Sequence, residues 1–570
     1  MDKGTVASGG LAIGKALTMV QPSLEVEDRT CDDVKAELTL YEDAVKRATK
    51  DLEKLREKAQ DTMGSEQAEI FDAHIQMVSD PEIKGQVEAM IENDNKCADV
   101  AYKAVSDQFI EMFSQMDDEY FKERAADIKD VQSRMLTHLQ GKETKDMALL
   151  DEDTIVIAHD LTPSDTASLD LAKVKGFITE VGGYTSHTAI MARALGIPAL
   201  VGVSGALEAI NEGQHVLLDA DNNTVTPDPD DQTLKAAKER IEQNKKRKEQ
   251  LRQYVDKPTT TKDGTSMPLY ANLGSTKELD AIKQNGAEGI GLFRTEFLFM
   301  ESQSMPSEQA QVDAYKAVFD AIGPVIVRTL DVGGDKNIPY IEQSDEDNPF
   351  LGKRAVRLYF DEIDLFKTQL RALLRAAVDN DAVRIMIPMV ARKDEIDWVK
   401  EVLDTVKTDL KNEDIAYQDN VLLGIMIEIP SAALNAEFLA KHVDFFSIGT
   451  NDLIQYTYAT DRMNESVGYL YEPYDPTLLR LMKHTLDGAH KAGIHIGVCG
   501  EMAGDGDLAL VLAGMGMDEL SMSPSAILPI RETLSTTDFR ALKQLSETVL
   551  TLNDAQSVKD TIQKFKDDKR

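Results

Sequence analysis

The chain has 570 residues, 42% of them hydrophobic, with 63 Lys and Arg against 100 Asp and Glu and a net charge of −37. This length predicts three or four domains with ample buried cores. So acidic a chain disfavours nucleic-acid binding, which needs a basic face. No apolar run is long enough to span a bilayer, and the N-terminus lacks a signal-peptide pattern. We therefore expect a cytoplasmic protein without membrane insertion.

The three cysteines, Cys31, Cys97 and Cys499, lie far apart in the sequence. This spacing indicates neither a disulfide framework nor a zinc site. The cysteine usage therefore agrees with a cytoplasmic compartment.

The first 142 residues have a strand-like pattern at the start and a helical pattern after it. Residues 4–20 have the pattern of strand and turn, but they are too few to fold alone and must pair with a later segment. Residues 32–142 are predicted to be helical throughout, because apolar residues from Val34 to Ala59 recur in steps of four and three. Asp80-Pro81 marks another helix start, with Pro at the first position. Such a helical bundle or long hairpin would serve as a docking platform or as a scaffold.

Residues 153–227 return to alternating strands and helices. This α/β segment and residues 4–20 are predicted to form one domain, into which the helical bundle is inserted. Residues 231–254 are charged and predict a solvated linker helix, since one basic cluster at Lys245–Lys248 is a poor nucleic-acid site in so acidic a chain. The Pro-, Thr- and Gly-rich stretch Asp256–Ser266 is a candidate hinge.

A glycine loop carries one histidine, His187. Gly182-Gly183 ends a strand-like run, and small hydroxyl residues lead into the apolar-periodic run Thr188–Leu195. A strand, a glycine loop and a helix N-terminus together offer free N–H groups that attract phosphate. A neutral imidazole there is a candidate phosphate-carrying nucleophile. From these residues alone, a structural histidine beside a helix cap is equally open.

The C-terminal half repeats one pattern eight times. Strand-like apolar runs separated by helical segments occur at Met267–Leu273, Gly289–Phe293, Val325–Leu330, Val383–Val390, Leu422–Ile429, Phe445–Ile448, His495–Cys499 and Glu519–Met522. Eight βα units in about 300 residues predict a TIM (β/α)8 barrel. A doubly wound sheet is the alternative, and the count of eight favours the barrel.

Polar residues follow several of these runs, where a barrel would place its active site. Arginine suits phosphate and carboxylate, while Glu428 and Asp452 are hard oxygen ligands suited to Mg²⁺. We therefore expect a small phosphorylated carboxylate held against a metal. Cys499 is a candidate proton donor. An inert buried thiol and surface ion pairs are the alternatives. The residues concerned are Arg294, Arg328, Glu428, Asn451, Asp452 and Cys499, with Arg354 and Arg462 on the intervening loops.

Seven motifs, taken together, resemble one family over essentially the full length. The chain is similar to the phosphoenolpyruvate–protein phosphotransferases, the enzyme I proteins of bacterial sugar phosphotransferase systems. Pyruvate phosphate dikinase and phosphoenolpyruvate synthase share the histidine domain and barrel, but they also carry an ATP-binding domain for which this chain has no room. The motifs are Gly182–Ala194, Gly286–Met300, Val325–Lys336, Asn348–Arg357, Gly424–Pro430, Ser447–Tyr456 and Gly497–Asp505.

The resemblance implies four segments. Residues 1–30 and 145–228 would form an α/β phosphohistidine domain, and residues 31–144 an inserted helical domain that binds the phosphocarrier protein HPr. Residues 229–260 would be a linker helix and hinge. Residues 261–570 would form a TIM barrel that binds phosphoenolpyruvate and mediates homodimerisation.

The resemblance also implies a reaction. Phosphoenolpyruvate would phosphorylate His187, which passes the phosphoryl group to a histidine of HPr, in the first step of sugar uptake. Cys499 would protonate the enolate carbon to give pyruvate, and Glu428 and Asp452 would bind Mg²⁺. Phosphoenolpyruvate would be held by Arg294, Arg328, Arg354, Asn451, Asp452 and Arg462.

The chain departs from the usual family pattern in places that spare these residues. Tyr184 stands where an arginine is typical beside the histidine, which removes a positive charge near the phosphate. The other departures are Gly9, Lys353, Met463, Glu472 and Asp475.

Two other functional classes compete with this interpretation. One is a dikinase-type enzyme acting on small molecules, and the other is a non-catalytic regulatory paralogue.

Overall fold

The structure is a computed structural model in which the chain forms two compact units, residues 1–246 and 247–570. It describes residues 4–19, 26–62, 65–114, 119–141, 152–169, 172–183, 186, 188–189, 191–192, 196–300, 302, 304–333, 338, 340–341, 346–462, 464 and 466–568. Among these residues, the helices are all too short or too polar to cross a membrane.

The first unit contains a seven-stranded sheet in the order β1-β5-β4-β3-β2-β6-β7. The N-terminal strands pair with later ones, as predicted: β1 runs antiparallel to β5, and β2 lies between parallel β3 and antiparallel β6. The strands are β1 Thr5–Ser8, β2 Leu11–Met19, β3 Thr154–Ala158, β4 Val174–Thr179, β5 Ala199–Val201, β6 His215–Asp219 and β7 Thr224–Pro227.

A helical insert separates β2 from β3. Its core includes Tyr41, Ala48 and Leu52, which repeat at helical spacing along the first helix and are fully buried. Asp80 caps the third helix and Pro81 occupies its first position, which confirms the predicted start. The helices of this unit are α1 Val34–Thr62, α2 Ser65–Val78, α3 Pro81–Asp94, α4 Ala98–Ser114, α5 Glu119–Leu139, α6 Pro163–Ser168, α7 Ala206–Ala209 and α8 Asp231–Leu251; the last continues into the second unit.

Two cysteines of the insert form a disulfide, so the expectation of no disulfide was wrong. Cys31 and Cys97 have Cα atoms 5.2 Å apart although 66 positions separate them in the sequence. An antiparallel bridge between the adjacent Thr30 and Lys96 brings the two segments together. Linear spacing could not reveal this contact, because it arises when the segment before α1 pairs with the α3–α4 loop.

The second unit is a closed parallel barrel in the order β10-β11-β12-β13-β14-β15-β8-β9, which confirms the predicted TIM barrel. Its strands are β8 Leu269–Leu273, β9 Ile290–Arg294, β10 Val325–Arg328, β11 Val383–Ile387, β12 Leu422–Ile427, β13 Phe445–Ile448, β14 His495–Val498 and β15 Glu519–Met522.

Helices follow the barrel strands and cover their outer faces. They are α9 Leu279–Gln284, α10 Glu296–Met300, α11 Glu308–Phe319, α12 Val356–Tyr359, α13 Ile363–Ala376, α14 Lys393–Asn412, α15 Pro430–Leu434, α16 Ala436–Leu439, α17 Thr450–Tyr458, α18 Pro476–Ala492, α19 Leu508–Met515, α20 Pro524–Ser535, α21 Phe539–Val549 and α22 Ala555–Asp567.

Strand alternation gives the barrel two separate cores. Successive strand residues face opposite sides, so one set packs outward against the helices in a large apolar cluster. The other set fills the barrel axis, which is therefore a packed core and leaves the ligand site to the strand ends. This inner cluster consists of Leu292, Ile326, Met386, Met426, Phe445 and Cys499.

Candidate functional site

A cavity of about 550 Å³ lies at the carboxyl ends of the barrel strands. Several of its polar side chains lie at strand ends: Arg294 is the last residue of β9 and Arg328 the last residue of β10. Glu428 follows β12 by one residue, and Cys499 follows β14. The lining comprises Leu292, Arg294, Arg328, Asp331, Gly333, Arg354, Met426, Glu428, Gly449, Asn451, Asp452, Arg462, Gly468, Tyr471, Cys499, Gly500 and Glu501.

Arg328 is buried between two carboxylates. Its Nη2 lies 2.8 Å from Glu296 Oε1, and its Nη1 lies 3.0 Å from Asp331 Oδ2. Burial alone would lower the pKa of the guanidinium, but Glu296 and Asp331 outweigh it and raise the pKa above the ordinary value. Arg328 therefore stays charged at the edge of the cavity.

Arg354 is held in a second buried ion cluster. Its Nε and Nη2 donate to the two oxygens of Asp331 at 3.0 and 2.9 Å, and Nη2 also lies 3.2 Å from Asp452 Oδ2. Its Nη1 donates to Tyr456 Oη at 3.3 Å. This guanidinium is thus engaged by protein groups from several sides.

Arg294 and Arg462 are the more open cations of the cavity. Arg294 is exposed. The side chain of Arg462 is 29% exposed, and its Nη1 lies 3.8 Å from Asp452 Oδ1, a long contact that leaves its other donors available. Guanidiniums exposed in this way can donate to phosphate or carboxylate oxygens.

Glu428 and Asp452 fit the donor set of a hard divalent cation. Both are buried, and Asp452 Oδ1 has no hydrogen-bond donor among the described residues. Glu428 Oε1 accepts from the N–H of Met389 at 2.5 Å, while Oε2 faces Gly449, where an added Cβ would lie 3.2 Å from it. Burial, and then the neighbouring Asp452, raise the pKa of Glu428 to about 8. A cation would reverse this shift.

The contact between Met389 and Glu428 also corrects a strand boundary. The run Val383–Val390 was predicted to be extended, but β11 ends at Ile387. Met389 has a positive φ of 58°, a backbone conformation that a non-glycine residue seldom adopts. The turn aims its N–H at Glu428, so the departure from the strand helps to orient a predicted metal ligand.

Cys499 is buried beside the cavity. Its Sγ lies 3.6 Å from the carbonyl oxygen of Ile448. Burial raises the pKa of the thiol to about 11, partly offset by the hydroxyl of Ser447 and by Arg328. The thiol is therefore protonated at neutral pH, which a proton donor requires.

Asn451 is locked to Glu501 by two hydrogen bonds. Its Nδ2 donates to Glu501 Oε1 and its Oδ1 accepts from the Glu501 N–H, both at 3.1 Å. The sequence predicts no role for Glu296, Asp331 or Glu501. The signal was present, because Glu296 and Asp331 lie two and three residues after the predicted ligands Arg294 and Arg328.

The predicted phosphate carrier, His187, lies outside the described residues, as does Tyr184. The described part of that loop contains strand β4, the glycine turn, and helical backbone at residues 188–189 and 191–192. Gly182 follows β4 with a φ of 106°, a conformation that favours glycine. Ser186 Oγ accepts from the N–H of Ala189 at 3.4 Å, in helix-capping position.

Cys31, Glu37 and Cys97 also bring potential metal-ligand atoms together. Among the described residues, they are the one group of three His, Cys, Asp or Glu side chains whose ligand atoms all lie within 4.8 Å of one another. The disulfide consumes both sulfurs. Glu37 instead accepts from the N–H of Ala98 at 2.7 Å, at the start of α4. This cluster is a helix-start contact and offers no cation site.

The chain matches family profiles and named relatives that use phosphoenolpyruvate. Profiles of the PEP-utilising enzyme family match the chain with the PEP-binding domain at residues 248–539, the N-terminal domain at 3–124 and the mobile domain at 150–223. The phosphoenolpyruvate-protein phosphotransferase of Bacillus subtilis is 45% identical over 558 residues, 98% of each chain. The chain belongs to the phosphoenolpyruvate-protein phosphotransferase family. The family member of Mycoplasma capricolum is 43% identical over 564 residues, 99% of this chain and 98% of its own. A solution structure of Enzyme I (nEIt) is 39% identical and covers 43% of this chain and 100% of its own, with a TM-score of 0.40.

In this member of the phosphotransferase family, the structure brings all the predicted barrel residues to one cavity. The arginines fall into two groups, a buried pair tied to Asp331 and an open pair at the rim. The set consists of Arg294, Arg328, Arg354, Glu428, Asn451, Asp452, Arg462 and Cys499.

Proposed function

We propose that the protein transfers the phosphoryl group of phosphoenolpyruvate to His187 and then to a histidine of the phosphocarrier protein HPr, releasing pyruvate. The observation that carries the proposal is the convergence of four arginines, three buried carboxylates and a protonated thiol on one cavity. Such a site matches a small ligand with both phosphate and carboxylate groups. The relatives from Bacillus subtilis and Mycoplasma capricolum are named phosphoenolpyruvate-protein phosphotransferases, which supports the proposal.

The cavity supplies charge where the reaction develops it. Arg294 and Arg462 bind the phosphate and carboxylate of the substrate, and Arg328 offsets charge on the phosphoryl group during transfer. The phosphorus–oxygen bond to the enol oxygen breaks as the bond from phosphorus to the imidazole nitrogen of His187 forms. The enolate left behind then takes a proton at carbon from the Cys499 thiol and becomes pyruvate. The thiolate regains its proton from water.

Glu428 and Asp452 would hold the divalent cation, and we propose Mg²⁺. Two observations support this assignment: Asp452 Oδ1 accepts no hydrogen bond from the described residues, and Glu428 Oε2 lies close to Gly449, which has no side chain. When bound, Mg²⁺ supplies positive charge to the phosphate oxygens. Loss of one carboxylate in Asp452→Asn should weaken Mn²⁺ binding, measured by electron paramagnetic resonance, without need of turnover.

Transfer requires His187 to meet the barrel cavity and later the partner. His187 belongs to the first compact unit and the cavity to the second. We propose that the linker of residues 229–260 permits both encounters, with the helical insert of residues 31–144 as the HPr docking platform. Small-angle scattering curves that coincide with and without phosphoenolpyruvate and Mg²⁺ would contradict this.

The barrel is our candidate for the homodimer contact. Leu434 and Phe438, on neighbouring helices α15 and α16, are 66% and 43% exposed, which is unusual for large apolar side chains so close together. Sedimentation velocity of Leu434→Glu tests this: the wild type should sediment as a dimer and the variant as a monomer.

The decisive experiment uses phosphoenolpyruvate labelled on phosphorus, with Mg²⁺. We expect an acid-labile phosphoprotein and released pyruvate, both lost in His187→Ala. Added HPr should remove the label from the protein. His159→Ala is the matched control, because His159 is an exposed histidine of the same unit, paired with Glu180 at 3.0 Å. Label on His187→Ala would refute the assignment, and label retained in the presence of HPr would refute the partner.

A further inference from the structure

The strand end that carries Cys499 is held by a side chain from two strands away. Asn272 lies on β8, and β15 separates β8 from β14 in the barrel. Its Nδ2 donates to the carbonyl oxygen of Cys499 at 3.0 Å. The amide of Asn272 thus reaches past β15 to the residue that follows β14.

A buried serine fixes the orientation of that amide. Ser521 lies on β15, is fully buried, and donates through Oγ to Asn272 Oδ1 at 2.7 Å. Because this bond takes the carbonyl end of the amide, the NH₂ end must point at Cys499. The three residues form a chain of hydrogen bonds from the middle of β15 to the cavity wall.

The remaining backbone group of Cys499 is fixed from the opposite side. Its N–H donates to the carbonyl oxygen of Ile448, at the end of β13, at 3.0 Å. The peptide groups before and after the Cys499 α-carbon are therefore both bound, one by β13 and one by Asn272. With both restrained, the direction of the Cα–Cβ bond, and hence of the thiol, has little freedom.

The sequence leaves room for this arrangement. Gly291 on β9 faces Ser521, and a Cβ at position 291 would lie 2.6 Å from Ser521 Cβ and 2.7 Å from its Oγ. Any larger residue at 291 would displace the hydroxyl that orients Asn272. The glycine is needed here for close approach, since the contact involves the rigid Cβ of a buried side chain.

We propose that Asn272 and Ser521 are positioning residues that aim the Cys499 thiol at the enolate carbon. This inference rests on the proposed function, in which the S–H bond breaks as the C–H bond of pyruvate forms and water restores the proton to sulfur. Proton transfer needs the donor within hydrogen-bond reach of its acceptor. The carbonyl oxygen of Ile448, 3.6 Å from Sγ, is a competing acceptor for the thiol proton. A small rotation at Cys499 therefore determines whether the thiol faces this carbonyl or the enolate carbon.

The test compares Asn272→Leu and Ser521→Ala with Ser546→Ala in the full chain. Ser546 is also a buried serine of the barrel unit, but it donates to Lys543 on the outer helix α21. Two quantities are measured. The first is kcat and KM for pyruvate release from phosphoenolpyruvate with Mg²⁺ and an excess of HPr, which accepts the phosphoryl group from His187 so that the enzyme turns over. The second is the rate at which iodoacetamide alkylates Cys499 between pH 7 and 10, followed by mass spectrometry of its peptide.

We expect both positioning variants to lower kcat about 10-fold or more, as misplacement of a reacting group does, with KM within about twofold of the wild type. Cys499, nearly inaccessible in the wild type, should be alkylated faster in both, and Ser546→Ala should match the wild type. Folded variants with wild-type kcat and alkylation would overturn the proposal.

The two proposals fail in different ways. If the wild type forms neither phosphoprotein nor pyruvate, the proposed function is wrong, while unchanged alkylation in the variants would separately refute the positioning of Cys499. If Asn272→Leu does not fold, Ser521→Ala carries the test, because it removes one hydroxyl only. A lower melting temperature with unchanged kcat, KM and alkylation would assign Asn272 and Ser521 a merely structural role and refute the proposal.

Discussion

Arg354 binds Asp331 through two parallel hydrogen bonds, Nε to Oδ1 at 3.0 Å and Nη2 to Oδ2 at 2.9 Å. Asp331 also contacts Arg328 Nη1 at 3.0 Å. One buried carboxylate thus fixes two of the cavity's guanidiniums. A planar fork matches a carboxylate in this way, whereas the point charge of lysine does not. Asp331 therefore organises the charge that the ligand meets.

Replacing Arg354 by Met should destabilise the barrel unit. Asp331 and Asp452 would remain buried with less countercharge, and breaking a buried ion pair on one side costs about 3–5 kcal/mol. Urea unfolding measures the change. Arg392→Met is the control, because Arg392 pairs with Asp394 at the surface, where an exposed pair contributes about 0–1 kcal/mol. Equal losses in the two variants would contradict the importance assigned to the buried pair.

Gly500→Ala should disable the cavity without touching a ligand-binding side chain. A Cβ at position 500 would lie 2.6 Å from the backbone nitrogen of Thr450. Thr450 begins α17, and the next two residues are Asn451 and Asp452, so the helix start must move. We expect binding of Mn²⁺, used as a probe for Mg²⁺, to weaken about 10-fold or more, since the packed backbone has no room to yield. Titration followed by electron paramagnetic resonance measures it.

Gly506→Ala is the matched control for Gly500→Ala. A Cβ at position 506 would meet no atom within 4 Å. Wild-type Mn²⁺ affinity is expected for Gly506→Ala. Wild-type affinity in Gly500→Ala as well would contradict the steric argument.

The Cys31–Cys97 disulfide should make the stability of the helical insert respond to reductant. Closing a loop of 66 residues stabilises a fold by about 4 kcal/mol in the chain-entropy account. Dithiothreitol should lower the melting temperature of the oxidised wild type and of Cys499→Ser, which keeps the bond. Cys31→Ser should melt at the same temperature with and without reductant. A reductant effect that survives in Cys31→Ser would refute the bond as its cause.

The sequence predicted the barrel and its polar strand ends because both depend on local pattern. Apolar runs of strand length, with charged or polar residues near the carboxyl ends of several of them, place Arg294, Arg328 and Glu428 without knowledge of the contacts. Contacts between residues far apart in the chain produce no such local pattern in the sequence. Two such contacts are the ion pairs of Asp331 with both Arg328 and Arg354, and the disulfide between Cys31 and Cys97. Both depend on how loops fold back, which periodicity does not encode.

Glu519 is a buried carboxyl inside the barrel. It opens β15, is 1% exposed, and neither of its oxygens has a hydrogen-bond partner among the described residues. Its Oε2 lies 3.8 Å from His495 Nε2. Burial raises the pKa of Glu519 to about 8, although Arg384 opposes the shift. The folded protein therefore holds this proton at a pH where the unfolded chain has released it.

The stability of the barrel should accordingly fall as pH rises through this window. Below an unfolded pKa near 4.5, both states are protonated and Glu519 adds no pH dependence. From there to about 8, the folded state alone keeps the proton, so the free energy of unfolding decreases, and above about 8 the effect is complete.

Glu519→Gln stays neutral, so its stability relative to the wild type should rise across this range, by at most about 5 kcal/mol. Urea unfolding at pH 5, 6.5, 8 and 9 measures the difference, with exposed Glu547→Gln as the control. A difference that does not change with pH would show that Glu519 is ionised in the folded barrel.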